Sequence, residues 1–288
     1  MLYIHLVLCG SLKAAKHSLG IVMKTVLITG ATDGIGFETA KMFLQRGLEV
    51  IIHGRSKVKL ASVKKSLLST YPKANVDTLC ADLSSFDEVR ALVDTVNNRY
   101  ERIDVVINNA GVFNIANSLT QSGLDVRFMV NTIAPYMLTL GVLKRIPPSG
   151  RVVNVSSAAQ AAVNFDALRG EVLLSDAQAY AQSKLAITMW TMSLGERHAQ
   201  SGPRFVSVNP KSLLGSKMVK EAYGIAGGDL KLGASIFVDA ALSSQFENVC
   251  GEYFDNDHGV FATPHQFAMS ADNRQQLINT IEAIIAKN

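Results

Sequence analysis

The stretch TGATDGIG, residues 29–36, decides how the rest of the chain is read. It follows the apolar run KTVLIT (24–29) and opens a helical pattern over 36–46. Three glycines, Gly30, Gly34 and Gly36, let a backbone turn sharply and bring a helix N-terminus close to a bound phosphate. Their spacing is G-x-x-x-G-x-G, distinct from the G-x-G-x-x-G of the general dinucleotide fingerprint. A glycine turn alone is weak evidence. Between a strand and a helix, at the head of an alternating chain, it is strong.

The alternation continues outward. Apolar runs recur as EVIIHG (49–54), NVDTLC (75–80), IDVVIN (103–108), RVVNVS (151–156) and RFVSVN (204–209). Most are continuous rather than alternating in polarity, as strands covered on both faces are. Helical patterns fall at 36–46, 56–70, 85–99, 122–145 and 176–200, with Gly47 and Gly202-Pro203 as stops. Strand, helix, strand in repetition predicts right-handed crossovers and an α/β fold, a doubly wound parallel sheet with helices on both faces. No linker or low-complexity tract interrupts 23–288, which reads as a single Rossmann-type domain with a less regular, lid-like region at 211–243 and a tail helix near 272–286.

With 288 residues, 48% hydrophobic and 18% charged, the chain can build a large core. The net charge of +4 is spread along the chain, so no nucleic-acid footprint is expected. Cys9, Cys80 and Cys250 lie far apart and form neither a disulfide framework nor a metal-ligand spacing, and the histidines do not cluster. No metal is expected, and a reduced, cytoplasmic setting is. Residues 1–22 read as an extension outside the fold. Their apolar start, Met1 to Cys9, is too short to span a bilayer and lacks a basic leader. Met23 is the simplest start of translation, with a weak membrane-surface anchor as the alternative, so no stable membrane insertion is expected.

In DAQAYAQSKLA (176–186), Tyr180 and Lys184 fall one turn apart on the same helical face. A free phenol ionises near pH 10, and a neighbouring ammonium favours its phenolate, which suits a group that must both give and take a proton. A half-buried tyrosine beside a solvated lysine would look the same in isolation.

The pair does not stand alone. With NNAG (108–111), NVSS (154–157) and YAQSK (180–184) in order on their expected elements, the chain resembles the short-chain dehydrogenase/reductase family, in the branch with a TGxxxGIG turn. The tail GEYFDND (251–257) resembles its retinol-dehydrogenase-like members. The resemblance covers nearly all of 24–288 and implies an oxidoreductase that interconverts a carbonyl and an alcohol. Tyr180 would be the general acid or base and Lys184 its electrostatic partner and ribose anchor. Ser157 would orient the substrate oxygen, with Ser156 as the competitor. Asn131, in FMVNTIAPYMLT, matches an asparagine that holds a water in the proton relay; a merely capping or kinking role is the alternative.

The same resemblance assigns a cofactor set: Gly30, Thr32, Asp33, Gly34, Ile35 and Gly36 in the turn, Asp82 facing the adenine, Asn108 and Gly111 bordering the ribose and nicotinamide, and Leu83, Asn109 and Ala110 in the same set. Thr132 lies close by in the pattern. Tyr180, Lys184, Pro210 and Ser216 complete the set, with Gly215 an alternative alignment to Ser216. At HGRS (53–56), Gly54 stands where an NAD-preferring member would carry a carboxylate, and Arg55 follows. A guanidinium suits a 2′-phosphate, so NADP(H) is expected, with NAD as the second option. The partner would be a small carbonyl or alcohol, and relatives suggest a homodimer or homotetramer.

The chain departs from the family at two places. Twenty-two residues separate Ser157 from Tyr180, and in NPKSLLGSKM (209–218) Lys211 replaces the glycine that usually follows the proline. Leu213, Leu214, Met218 and Tyr223 suggest an apolar substrate wall or, equally, the inner face of a covering helix. Two other classes stay open: a cofactor-sensing protein without catalysis, and a nucleotide-sugar epimerase or dehydratase.

Overall fold

The computed structural model describes residues 23–288. The reading of 1–22 as an extension therefore concerns a segment outside the described residues. The six apolar runs form strands β1 Thr25–Ile28, β2 Glu49–Gly54, β3 Val76–Cys80, β4 Val105–Asn108, β5 Arg151–Val155 and β6 Arg204–Asn209. Two further strands, β7 Tyr253–Asp255 and β8 Val260–Ala262, extend one sheet in the order β3-β2-β1-β4-β5-β6-β7-β8. All neighbours pair in parallel except β7 with β8.

Helices α1 Gly34–Gln45, α2 Lys57–Thr70 and α3 Phe86–Arg99 follow the first three strands. The long pattern at 122–145 is divided into α4 Val126–Phe128, a π-helical turn Met129–Ile133 and α5 Ala134–Val142. After β5 come α6 Phe165–Leu168 and α7 Asp176–His198; after β6 come α8 Lys217–Tyr223 and α9 Leu230–Leu242; α10 Ala271–Lys287 closes the chain. The stretch Val126–Arg145 is long and apolar enough to cross a membrane, but 72% of its apolar window is buried in the fold.

The continuous apolar runs are explained by two cores. Leu27, Ile51, Val106, Val152 and Phe205 point to one face of the sheet, where Val89, Leu138, Trp190 and Ile281 cover them. Their chain neighbours Val26, Val50, Val105, Val153 and Val206 point to the other, beneath Phe43, Leu60 and Phe237. A period-2 backbone that buries both faces leaves no polar positions to alternate.

The region 211–243 is not lid throughout. In α9, Ala234, Ile236, Phe237, Val238, Ala240 and Ala241 are buried, and the helix packs along α1 as part of the second core. Only the segment before it remains to border the cavity described next.

Candidate active site

Strands β2 and β4 flank β1 on opposite sides, so the chain leaves the sheet in two directions and opens a crevice beyond the carboxyl ends of the strands. A cavity of about 580 Å³ occupies it. The glycine turn forms its floor: Gly30 and Gly34 have φ of 64° and 58°, the left-handed region that glycine enters without penalty. A Cβ on Gly30 would also lie 2.8 Å from Ala110 Cα. Asp33 Oδ1 accepts from Gly34 N (2.7 Å) and caps α1 from the cavity wall.

Gly36, expected to contact the cofactor, does not line the cavity. A Cβ there would lie 2.5 Å from Asn109 Nδ2 and 2.7 Å from Gly30 O, so its task is to let α1 approach the loop after β4. Asn109 Nδ2 donates to Thr29 O (2.8 Å) and Gly30 O (3.1 Å), tying that loop to the turn.

Thr32, Arg55, Asp82 and Leu83 line the cavity around the ends of β2 and β3, with Ser56, Lys59 and His53, which the sequence reading did not single out; Ile35 lines it too. A Cβ on Gly54 would lie 2.6 Å from Thr32 Cγ2, so this position has no room for a carboxylate side chain as it stands. His53 is buried, accepts weakly from Gly30 N at Nδ1 (3.4 Å) and bonds Ala81 O through Nε2 (3.1 Å), partners that assign its proton to Nε2. Burial pushes its pKa down to about 4, against the opposing pull of the Ala81 carbonyl and the Asp82 charge.

Helix α7 begins with a reciprocal capping box between Ser175 and Gln178 and delivers Tyr180 and Lys184 to the cavity wall. The Lys184 side chain is 3% exposed, and its Nζ donates to Val155 O at 2.7 Å and stands 5.7 Å from the Tyr180 ring centroid. Burial pushes its pKa down to about 8. The Phe113 ring meets Tyr180 edge-on, with centroids 4.8 Å apart. The hydroxyl of Ser156 is spent on Lys184 O (3.1 Å) and Thr188 Oγ1 (2.7 Å). Ser157 Oγ only accepts from Ala159 N (3.1 Å), which leaves its O–H to donate, and the Ser157 carbonyl accepts from Gln160 Nε2 and Tyr253 Oη.

Asn131 sits in the π-helical turn, 1% exposed and off the cavity wall. Its Oδ1 accepts from Val112 N (2.8 Å) while Nδ2 donates to Val112 O (3.0 Å) and Ser183 Oγ (2.9 Å). Both amide hydrogens are consumed, so the side chain clamps the exit of β4. Asn108 and Thr132 are also off the wall, bonded within the core to Asn154 and Thr139 and to Ser183 O respectively.

Asn109, Ala110, Gly111, Pro210 and Ser216 line the cavity, although Ser216 Oγ caps α8 by accepting from Val219 N. Gly111 neighbours both side chains: a Cβ there would stand in ordinary contact, 3.5 Å from Lys184 Nζ and from Asn131 Oδ1. Lys211 lines the cavity at a φ of 116°. Leu213, Leu214 and Met218 lie on the same wall; the side chain of Tyr223 lies outside the described residues. Among the described residues no cluster of His, Cys, Asp and Glu could hold a metal ion.

A parallel sheet with a glycine turn at its switch point, and a Tyr-Lys pair facing the same crevice, defines a nucleotide-binding oxidoreductase fold. The short chain dehydrogenase family pattern matches residues 24–224, and the chain belongs to that family, in its retinol-dehydrogenase-like branch. Among its relatives, short-chain dehydrogenase TIC 32 B, chloroplastic, of Brassica napus is 31% identical over 276 residues, covering 88% of this chain and 86% of that protein. Retinol dehydrogenase 13 of Mus musculus is 31% identical over 252 residues, covering 81% of this chain and 75% of that one. Among solved structures, an uncharacterised protein from Mycobacterium paratuberculosis aligns with a TM-score of 0.76 at 27% identity, covering 91% and 93% of the two chains. A short chain dehydrogenase from Escherichia coli CFT073, complexed with NADPH, aligns with a TM-score of 0.66 at 24% identity, covering 81% and 96%. The cytoplasmic expectation gains no support from these names.

Proposed function

We propose that this oxidoreductase uses NADP(H) to interconvert an apolar carbonyl compound and its alcohol. The observation that supports the reading is that Tyr180, Lys184, Ser157 and Arg55 all line one cavity. The residues fit a dinucleotide: the positive-φ glycines keep the turn free of side chains, and Gly111 keeps the space before Lys184 open. The cofactor supplies a hydride donor or acceptor. Everything else falls to the chain. Arg55 offers a planar fork to a 2′-phosphate, with Lys59 adding charge and the start of α2 adding free backbone N–H groups. Lys184 binds ribose hydroxyls and holds positive charge beside Tyr180. Ser157 donates to the substrate oxygen, and Tyr180 gives that oxygen its proton in reduction or takes it in oxidation. Phe113, Ile115, Leu213, Leu214 and Met218 form the wall that would receive an apolar substrate. A homodimer or homotetramer belongs to the same reading and is checked by sedimentation.

The test is Tyr180→Phe with a panel of carbonyl substrates. Turnover of NADPH should fall at least ~100-fold with cofactor affinity retained. Unchanged turnover would remove Tyr180 from its role, and a wild-type protein that binds NADPH without turning over any substrate would favour the sensing class. Products isomerised or dehydrated without net redox change would favour the epimerase or dehydratase class.

A further inference from the structure

The chain leaving β6 adopts a backbone its sequence does not favour. Lys211 has φ 116° and Leu213 φ 54°, and these are the two non-glycine residues with positive φ among the described residues. A Cβ is crowded in that region, and such a conformation persists only where its surroundings over-determine it. Here the surroundings come from the turn after β7, more than forty residues away in sequence. Asn256 Nδ2 donates to Pro210 O at 2.8 Å. The Asp257 carboxylate accepts from Ser212 N at 2.9 Å, Ser212 Oγ at 2.5 Å and Asn209 Nδ2 at 2.9 Å. Asn209 also donates to Asp255 Oδ1 at 2.8 Å. Burial alone would raise the Asp257 carboxyl, but the Ser212 and Asn209 bonds and the Lys211 charge outweigh it and hold the group below its ordinary value.

Asp257 does not line the cavity, whereas Pro210, Lys211, Ser212, Leu213 and Leu214 do. We propose that Asp257 is a positioning residue: by pinning Ser212 it holds the strained 210–214 segment in place as the cavity wall that meets the cofactor. The proposal rests on the NADP(H) reading above. A glycine at 211 would adopt the same φ without crowding, so the segment would keep its place with less help. Lysine in that position makes the latch necessary.

The strain predicts coupling between the two residues beyond the direct Lys211–Asp257 charge attraction, so a Lys211→Gln control, which removes the charge but keeps the Cβ, should retain it. Six proteins decide it: wild type, Asp257→Ala, Lys211→Gly, Lys211→Gln and the two double variants. NADPH affinity is read from nicotinamide fluorescence, and amide hydrogen exchange of 211–216 is read without cofactor. Asp257→Ala should weaken NADPH binding about tenfold, equivalent to about 1.4 kcal/mol, and speed exchange across 211–216 by at least as much. In the Lys211→Gly background the same substitution should cost threefold or less in both readouts. Ser212→Ala, which deletes one of the three bonds, should show a smaller effect of the same kind and serves if Asp257→Ala does not fold. Unchanged exchange in Asp257→Ala, equal losses in the wild-type and Lys211→Gly backgrounds, or a loss in the Lys211→Gln background as small as in Lys211→Gly would overturn the proposal. A wild type that does not bind NADPH would defeat the cofactor reading, while the exchange comparison would still decide the latch.

Discussion

Replacing Lys184 with methionine should stabilise the cofactor-free protein at neutral pH while disabling it. Lys184 is enclosed by the fold, and burial takes its pKa from 10.5 to about 8. At about 1.4 kcal/mol for each pH unit, that drop corresponds to about 3 kcal/mol of folding free energy lost to holding an ammonium out of water. Above pH 10.5 both folded and unfolded chains hold the amine neutral, and the loss vanishes. As pH falls, the unfolded chain protonates first, so the loss grows down to about pH 8 and is complete below it. Lys184→Met removes the ammonium and keeps most of the apolar stem, but it leaves Val155 O without its 2.7 Å donor. An acceptor left buried and unpaired costs about 1–3 kcal/mol. The variant should therefore be up to about 2 kcal/mol more stable than wild type at pH 7, and the gap should close as pH approaches 10. Urea unfolding of both proteins from pH 6.5 to 10, with midpoints and slopes compared, measures it. A wild type that is the more stable at pH 7, or a gap that does not change with pH, would refute the reasoning. Turnover should fall at least ~100-fold in the same variant.

Other substitutions probe the cavity and helix α7. Arg55→Glu should weaken NADPH binding roughly 10- to 100-fold, through loss of the charge-assisted fork and repulsion of the phosphate, and leave NADH binding nearly unchanged; titrating both cofactors checks it. His53 is held neutral, with its pKa lowered to about 4. The stability this contributes is present above pH 6.5 and is lost, by about 3 kcal/mol, as pH falls to 4. His53→Gln should flatten that part of the acid-stability curve, and an unaltered slope would count against it. Gly195→Ala should destabilise by about 3 kcal/mol, or roughly 6–10 °C in a thermal melt. Its Cβ would meet Cys250 C and O and Gly251 N at 2.3 Å, all of them backbone atoms that cannot swing away.

How much could be read beforehand follows from which interactions are local. The six long strands were legible because each run is apolar on both of its faces, as the Val26/Leu27 and Val105/Val106 pairs show by entering different cores. Tyr180 and Lys184 were legible because four residues on one helix fix their relation wherever the helix lies. β7 and β8 span three residues each, too few for a period to register. Helix α9 hid behind Gly233, where a Cβ would lie 2.6 Å from the Leu214 Cδ1 side-chain tip. Gly36 and Asn131 sit inside motifs whose neighbours face the cavity, and a string of letters does not separate a wall from the packing behind it. His53 ends a buried strand like any other residue until Ala81 and Gly30, from two other loops, are seen on its ring nitrogens.

The features that weaken this fold gather around one cavity. Lys184 is a cation buried at its wall, and Lys211 holds a crowded backbone in the same wall. Just behind Tyr180, the Arg127 side chain is 1% exposed and bonds Asp125, Asp176 and Phe113 O. Asp176 lies one turn before Tyr180 on α7, and Phe113 carries the ring that meets it. An ion pair taken out of water contributes little net stability against a well-packed apolar alternative, so stability alone gives weak grounds for this arrangement. Its geometry supplies better ones, because it fixes both the helix start and the aromatic neighbour of the proposed proton donor. The regular strands and the two apolar cores carry the excess stability that permits these departures. Substitutions that relieve burial or crowding near the cavity should then raise stability and lower turnover together, whereas equally stabilising changes in the outer helices should leave turnover alone.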